Sequence, residues 1–149
     1  MQFRAAVEAD LPAIVRMLAD DDIGQSREGT ADPPSPEYVT ALAAIRRQDG
    51  NAVIVAEDGG EIVGCLQLTF IPGLARLGMT RALIEGVRVA RSARGKGIGE
   101  ALFRHAIELS RRHGCGLVQL TADKRRKDAH RFYARLGFVA THEGMKLSL

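Results

Sequence analysis

The feature that most constrains this chain is a glycine-rich basic loop between a predicted strand and a predicted helix. Residues 81–89 form an apolar strand pattern, residues 94–99 form the loop, and an amphipathic helix is predicted over 97–113. Glycines at alternate positions let the backbone approach a ligand, and the N–H groups that begin a helix attract anions. Four cations surround the loop: Arg88, Arg91, Arg94 and Lys96. The loop therefore predicts a phosphate or pyrophosphate site, and the alternative is a solvated basic turn.

Two common phosphate-binding loops do not fit this spacing. A nucleotide P-loop needs Gly-x4-Gly-Lys followed by Ser or Thr, but Gly95 and Lys96 are followed by Gly97, and position 90 is not glycine. A dinucleotide fold needs Gly-x-Gly-x-x-Gly and several further strand–helix units, but here the pattern is Gly-x-Gly-x-Gly near the end of the chain. The sequence disfavours both classes.

The second half of the chain alternates strands and helices. After the helix at 97–113, the pattern predicts a strand over 117–121 and a helix over 128–136. Two further short strands are predicted at 138–141 and 144–149. A strand–helix–strand unit makes its two strands parallel neighbours, so strand 81–89 should lie beside strand 117–121.

The first half predicts an antiparallel arrangement. A weak strand over 2–6 precedes a helix that begins at Asp10-Leu11-Pro12, where aspartate can cap and proline needs no amide hydrogen. A loop over 24–36 leads to a helix over 36–47, and strands 52–56 and 62–70 flank the turn Asp58-Gly59-Gly60. The sheet should therefore be mixed.

Composition narrows the class of protein. With 149 residues, 21 Lys and Arg, and 18 Asp and Glu, the chain carries a net charge of +3 and suits one domain over residues 1–149. Cys65 and Cys115 cannot form a disulfide framework or a four-thiolate zinc site, so we expect no metal, free thiols and a cytoplasmic location. No apolar run approaches ~18 residues and no signal core is visible, so we expect no membrane partner.

Two motifs occur in the order typical of one family. Residues 94–99, Arg-Gly-Lys-Gly-Ile-Gly, match the pattern (Gln/Arg)-x-x-Gly-x-(Gly/Ala), and Ala129 precedes a Tyr-x-x-x-Gly-Phe helix end at 133–138. The chain thus resembles the GNAT superfamily of acyl-CoA-dependent N-acetyltransferases, most strongly over residues 80–149. Either motif alone is a weak signal, but the ordered pair is specific.

The resemblance implies an α/β (α+β) fold. We expect the GNAT arrangement: a central mixed, mostly antiparallel sheet of about six or seven strands, with about four helices on its two faces. One parallel pair of strands should splay apart. Homodimers are common in this family, so a second copy of the chain is a possible partner.

The resemblance also implies a binding site for acetyl-CoA as acyl donor. In this family the loop amides bind the pyrophosphate of coenzyme A, and the strand before the loop binds the pantetheine arm with its backbone. The residues carried over to the pyrophosphate are Arg94, Gly95, Lys96, Gly97, Ile98 and Gly99. Those carried over to the pantetheine arm are Val87, Arg88 and Val89.

Two residues are candidate catalytic groups. Tyr133 matches the tyrosine that protonates the departing thiolate, and a phenol with a pKa near ~10 suits that task; the alternative is a core position. Glu85 lies at the same offset before the glycine loop as a glutamate of some members, notably the glucosamine-phosphate acetyltransferases. Because this strand should bury most of its side chains, a carboxylate there needs a use or a partner. Glu85 is thus a base, a substrate anchor, or an ion-pair partner of Arg81 or Arg88, and alternation places it with Val87 unless the strand is bulged.

The chain departs from the family pattern at two positions. Arg126 stands where an asparagine often contacts pantetheine, and Asp123 or Thr121 at the strand end are the candidate substitutes. Arg91 replaces a common proline. The basic run 124–127 is expected to meet a phosphate of the donor or to be a solvated loop.

The acceptor is less defined than the donor. We expect substrate contacts from residues 20–36 and 72–80. The three aspartates at 20–22 are expected to be a solvated helix end, and the alternative is attraction of a cationic amine. The predicted function is transfer of an acetyl group to a primary amine of a small molecule or peptide by direct attack. The alternatives are an acyl-CoA sensor and a nucleic-acid-binding regulator, although no recognition motif accompanies the basic loops.

Overall fold

The computed structural model describes residues 1–21, 28–29 and 32–149. Five strands form one sheet in the order β1-β2-β3-β4-β5. The first four pair antiparallel, and β4 pairs parallel with β5. This confirms the mixed, mostly antiparallel sheet. The strands are β1 (Gln2–Ala5), β2 (Asn51–Asp58), β3 (Glu61–Ile71), β4 (Arg81–Val89) and β5 (Leu117–Gln119).

Helices cover both faces of the sheet, as predicted. They are α1 (Leu11–Ala19), α2 (Pro36–Arg47), the single turn α3 (Ala75–Gly78), α4 (Ile98–Arg112) and α5 (Lys127–Arg135). None of the helices in the described residues is long and apolar enough to span a membrane. The start of α1 at Leu11 and the N-cap position of Ser35 agree with the expected boundaries. The Asp10 side chain does not cap α1, because its carboxylate accepts hydrogen bonds from Arg4 and from the Val7 N–H.

Alternation along β2 divides the core into two layers. Ile54 and Ala56 pack with α4 in a cluster that also contains side chains of α5. Val55, between them, points to the other face and packs with α1 and α2. All three are almost fully buried. This period of two places the helices that precede β2 on one face and those that follow β4 on the other.

A glycine lets α4 lie close to the strands that carry the site. A Cβ added to Gly64 of β3 would lie 2.8 Å from Leu102 Cδ1 and 3.2 Å from the Arg88 carbonyl oxygen. Leu102 is completely buried, so its side chain has little room to move aside. The absence of a side chain at position 64 therefore fixes α4 against the C-terminal half of β4.

β4 contains a bulge beside its end. Cys65 pairs with Arg88 and Gln67 pairs with Glu85, so two residues of β4 face one residue of β3. Gly86 lies within the bulge at φ +60°, a left-handed conformation suited to glycine. The bulge interrupts the alternation that would have put Glu85 and Val87 on one face.

β4 and β5 pair only at their beginnings. The ladder joins Arg81–Leu83 to Leu117–Gln119 and then stops within the described chain. β4 continues to Val89 with β3 as its neighbour on one edge. The β5-facing edge from Ile84 onward therefore carries no strand, which agrees with the expected splayed pair.

The C-terminal strand predictions are wrong. Within the described residues, 138–149 contain no strand, and β5 ends at Gln119 instead of position 121. Met145, Leu147 and Leu149 alternate with polar residues, but their side chains are exposed. A strand needs a paired edge and a covered face, and this segment has neither here. The described chain thus has five strands in place of six or seven, and five helices because α3 adds one turn.

Candidate active site

A cleft of about 590 Å³ lies at the C-terminal end of β4. Five of the residues predicted to bind the donor line this cleft, together with three residues that were not predicted to bind it. The predicted residues are Val87, Arg88, Val89, Arg94 and Arg126, and the others are Asp20, Asp21 and Arg91. The structure thus brings the end of β4, Arg94 at the start of the glycine loop and the segment before α5 around one space. The other predicted loop residues, 95–99, lie outside the lining of this cleft.

The glycine loop presents open backbone to solvent at the start of α4. Gly95 and Gly97 have φ +75° and +77°, and a Cβ at either would meet no atom within 4 Å. Gly97 is the N-cap of α4 and supplies no side-chain cap, so the first-turn amides need an external acceptor. Ile98 is buried, and a Cβ added to Gly99 would lie 3.7 Å from Val89 Cγ2 and 3.8 Å from Phe132 Cζ. The loop therefore has the features of an anion site on a fixed base.

Asp20, at the end of α1, pairs with two arginines of the loop region. Its carboxylate contacts Arg91 Nη2, and Arg94 Nη2 donates to it over 3.0 Å. Arg94 also donates to the Val89 carbonyl oxygen at 3.3 Å. The hydrogen bond from Arg91 is the main cause that lowers the pKa of Asp20 below its usual value. This carboxylate therefore stays charged and neutralises part of the basic loop.

Asp21 lies deeper and joins opposite walls of the cleft. Its side chain is 6% exposed, and it accepts bonds from Arg88 Nη2 at 2.8 Å and Arg126 Nη2 at 2.7 Å. The expectation of a solvated helix end is wrong for both aspartates. Their partners lie 67 to 105 positions away in sequence, so no local pattern indicates them. Asp22 lies outside the described residues.

Arg88 retains one unused donor. Its Nη1 donates to the Val87 carbonyl oxygen at 2.8 Å, while its Nε is buried with no hydrogen-bond partner among the described residues. A buried unpaired donor is costly, and Arg88 itself lines the cleft. The open amides, the free edge and this N–H together fit an extended ligand that carries carbonyl groups and ends in a diphosphate, as coenzyme A does.

Tyr133 lies on α5 in an aromatic cluster near the same arginines. Its ring centroid is 5.4 Å from that of Phe103 and 6.1 Å from that of Phe138. Burial raises the pKa of Tyr133, and the charges of Arg126 and Arg88 act in the opposite direction. The phenol therefore keeps its proton at neutral pH and has two cations close enough to stabilise its anion.

Glu85 differs from the expectation. It is exposed, and no ion pair or hydrogen bond joins its side chain to Arg81, Arg88 or another described residue. Arg88 pairs with Asp21 instead. Glu85 is therefore not a buried carboxylate that needs a partner. Alternation with the buried Ala82 and Ile84 places it on the opposite face of β4, which is exposed at this position.

Asp123 is not part of the cleft. Arg125 holds its carboxylate with Nη2 at 2.6 Å and with the backbone N–H at 2.9 Å, and these bonds keep the pKa of Asp123 well below its usual value. Lys124 pairs with Glu143 at 2.7 Å. Of the basic run 124–127, Arg126 is the residue that lines the cleft.

Comparison with known proteins agrees with this geometry. The sequence model described as the Acetyltransferase (GNAT) family matches residues 15–138. The chain belongs to the GNAT acetyltransferase family. Members of this family use acetyl-CoA as the acyl donor, and the chain is therefore an acyltransferase.

Three similar proteins cover almost the whole GNAT domain. A glucosamine 6-phosphate N-acetyltransferase of Trypanosoma brucei brucei is 33% identical over all of this chain and 96% of its own length. The crystal structure of a transcriptional regulator from Bacillus halodurans C-125 is 50% identical, covers 99% of both chains and has a TM-score of 0.96. A putative acetyltransferase from Agrobacterium tumefaciens is 28% identical over both full chains, with a TM-score of 0.88.

The buried position of Asp21 predicts that it stabilises this acetyltransferase more than Asp20 does. Asp21→Asn should lower the free energy of unfolding by about 3 kcal/mol, because two partly buried guanidiniums lose their counter-ion. Asp20→Asn should cost less than about 1 kcal/mol, since its partners are exposed. Urea unfolding of both variants at neutral pH measures the difference, and equal losses would contradict this account of the cleft.

Proposed function

We propose that this acyltransferase moves an acetyl group from acetyl-CoA to a primary amine of a small molecule or peptide by direct attack within a ternary complex. The observation that carries the proposal is one cleft lined by the end of β4, by Arg94 of the glycine loop and by two arginines whose charges act on Tyr133. The free thiols of Cys65 and Cys115 suit a reducing compartment, and we place the reaction in the cytoplasm.

The donor would lie along β4 and end at the loop. Acetyl-CoA supplies an acetyl group activated as a thioester. The N–H groups of residues 95–99 and the guanidinium of Arg94 would hold the diphosphate. The backbone of Val87–Val89 would bind the amide-bearing arm as an added strand, and the Arg88 Nε–H is available to a carbonyl oxygen. Arg126, and not Asp123, would contact the donor from the opposite wall.

Tyr133 would provide the proton that the leaving sulfur needs. Its raised pKa keeps the proton on Oη until the thiolate forms. Arg88 and Arg126 would then stabilise the phenolate that remains. A backbone N–H near Val89 would polarise the acetyl carbonyl group, as a donor placed where negative charge develops.

The Tyr133→Phe variant tests this role. Turnover should fall about 100-fold or more, while coenzyme A binds with wild-type affinity because the ring and its packing remain. Release of thiol measures turnover, and calorimetric titration measures binding. The chain has two tyrosines, and Tyr38→Phe, which removes a hydroxyl that contacts Glu28, is the matched control. Unchanged turnover of Tyr133→Phe would contradict the proposal.

We propose Glu85 as the group that receives the amine proton, through water. Its exposed position next to the bulge leaves it accessible to an incoming amine, and an attacking amine must be neutral. Glu85→Gln should therefore remove the acidic limb of the pH profile of kcat, which reports groups of the bound complex and not the ionisation of the free amine. The exposed Glu61→Gln should leave that limb intact. A limb that persists in Glu85→Gln would exclude the base role and leave Glu85 as an anchor.

The similarity to a protein described as a transcriptional regulator favours one alternative function, which is DNA binding. DNA binding through the basic residues would depend steeply on salt. However, the cleft arginines each have a carboxylate partner, and these pairs weaken the electrostatic attraction between the cleft and DNA phosphates. A panel of amines separates the functions: thiol release with any amine supports transfer. Acetyl-CoA binding without thiol release supports a sensor, and salt-dependent DNA binding without acetyl-CoA binding supports a regulator.

A further inference from the structure

We infer that Asp20 is an internal counter-ion that stands in for the diphosphate and must leave Arg91 and Arg94 when the donor binds, so that Asp20 sets donor affinity. This inference rests on the proposed function, because it concerns the same cleft. It assigns a role to a residue that the family motifs do not include.

The position of Asp20 is the first argument. Its carboxylate contacts two guanidiniums at once, and one of them, Arg94, begins the glycine loop. Arg94 Nη2 also donates to the Asp20 carbonyl oxygen at 3.1 Å. Guanidinium groups bind carboxylate and phosphate oxygens with the same planar set of N–H donors. A diphosphate on the loop and the Asp20 carboxylate therefore compete for the same donors.

The exposure of the ion pairs shows which aspartate can leave. The side chains of Arg91 and Arg94 are 75% and 50% exposed, and that of Asp20 is 29% exposed. Exposed ion pairs contribute about 0–1 kcal/mol each, so exchange for a ligand is easy. Asp21 is 6% exposed and holds two arginines, so its release would leave buried charge. Exchange therefore occurs at Asp20, while Asp21 remains fixed.

Electrostatics determines what this exchange does to binding. A carboxylate held on the loop arginines repels an incoming anion until it is displaced. A diphosphate brings several charged oxygens and can replace the carboxylate on both arginines, whereas a monovalent anion gains less. Asp20 therefore lowers the affinity of the loop for anions, and only an anion with enough charged oxygens replaces it on both arginines.

Calorimetric titration of the full chain tests the inference with two probes, coenzyme A and inorganic pyrophosphate. Asp20→Asn keeps the size of the side chain and removes its charge. It should bind both probes about 2- to 30-fold more tightly than wild type, the range that corresponds to the loss of two exposed ion pairs. Asp20→Glu restores the charge and should bind close to wild type.

A matched control separates this effect from a general change in charge. Glu108 of α4 also contacts two arginines, Arg111 and Arg112, and its side chain is 48% exposed to solvent. It lies about 16 Å along the helix from the glycine loop at 1.5 Å per residue. Glu108→Gln removes the same charge and should leave both affinities unchanged.

Each outcome decides between the two proposals. If Asp20→Asn gains pyrophosphate affinity but no variant binds coenzyme A, the counter-ion role stands and the proposed donor fails. If coenzyme A binds wild type and Asp20→Asn equally, or binds the variant more weakly, the counter-ion role is overturned and the proposed function stands. An equal gain in Glu108→Gln would also overturn the counter-ion role, since the effect would then be one of net charge.

Discussion

The pairing of β4 with β5 stops after Leu83 and Gln119, and the rest of the site depends on this interruption. A sheet that stayed paired to Val89 would have no free edge and no room for a ligand between the strands. Because β4 remains paired with β3, its open edge is held by a complete neighbour on the other side. The glycine loop begins shortly after β4 ends, so the end of β4 and Arg94 of the loop line one cleft.

The charged residues of the cleft lie where β4 and β5 separate. Asp21 holds Arg88 of β4 and Arg126 of the segment before α5, so it joins the two walls that the strands leave apart. These two arginines are the cations whose charges act on Tyr133, and the Asp21 carboxylate holds both in position. The four arginines of the cleft share two carboxylates, so these pairs neutralise half of the arginine charge.

Local patterns were sufficient for the elements and for the central motifs. The loop at 94–99, the helix that follows it and the position of Tyr133 on α5 could all be predicted, because glycine spacing and apolar period are properties of neighbouring residues. The bulge at Gly86 stayed an open alternative in the sequence, since it is defined by register with β3. Glu85 is exposed although the strand before the loop was predicted to bury most of its side chains, because exposure of one strand face depends on which helices cover it. The ion pairs of Asp20 and Asp21 could not be predicted, because their arginine partners are distant in sequence. Apolar and polar residues do alternate over 144–149, but this alternation alone does not supply a neighbouring strand.

The most direct test of the account is the thermal unfolding of the full chain with saturating acetyl-CoA. A ligand that binds only the folded protein at about 100 times its Kd contributes about 2.7 kcal/mol of stability. For a chain of this size that raises the Tm by roughly 5–10 °C. The account predicts a rise of this size, increasing with the concentration of acetyl-CoA. An unchanged Tm at millimolar acetyl-CoA would contradict the claim that the cleft beside β4 binds the acyl donor.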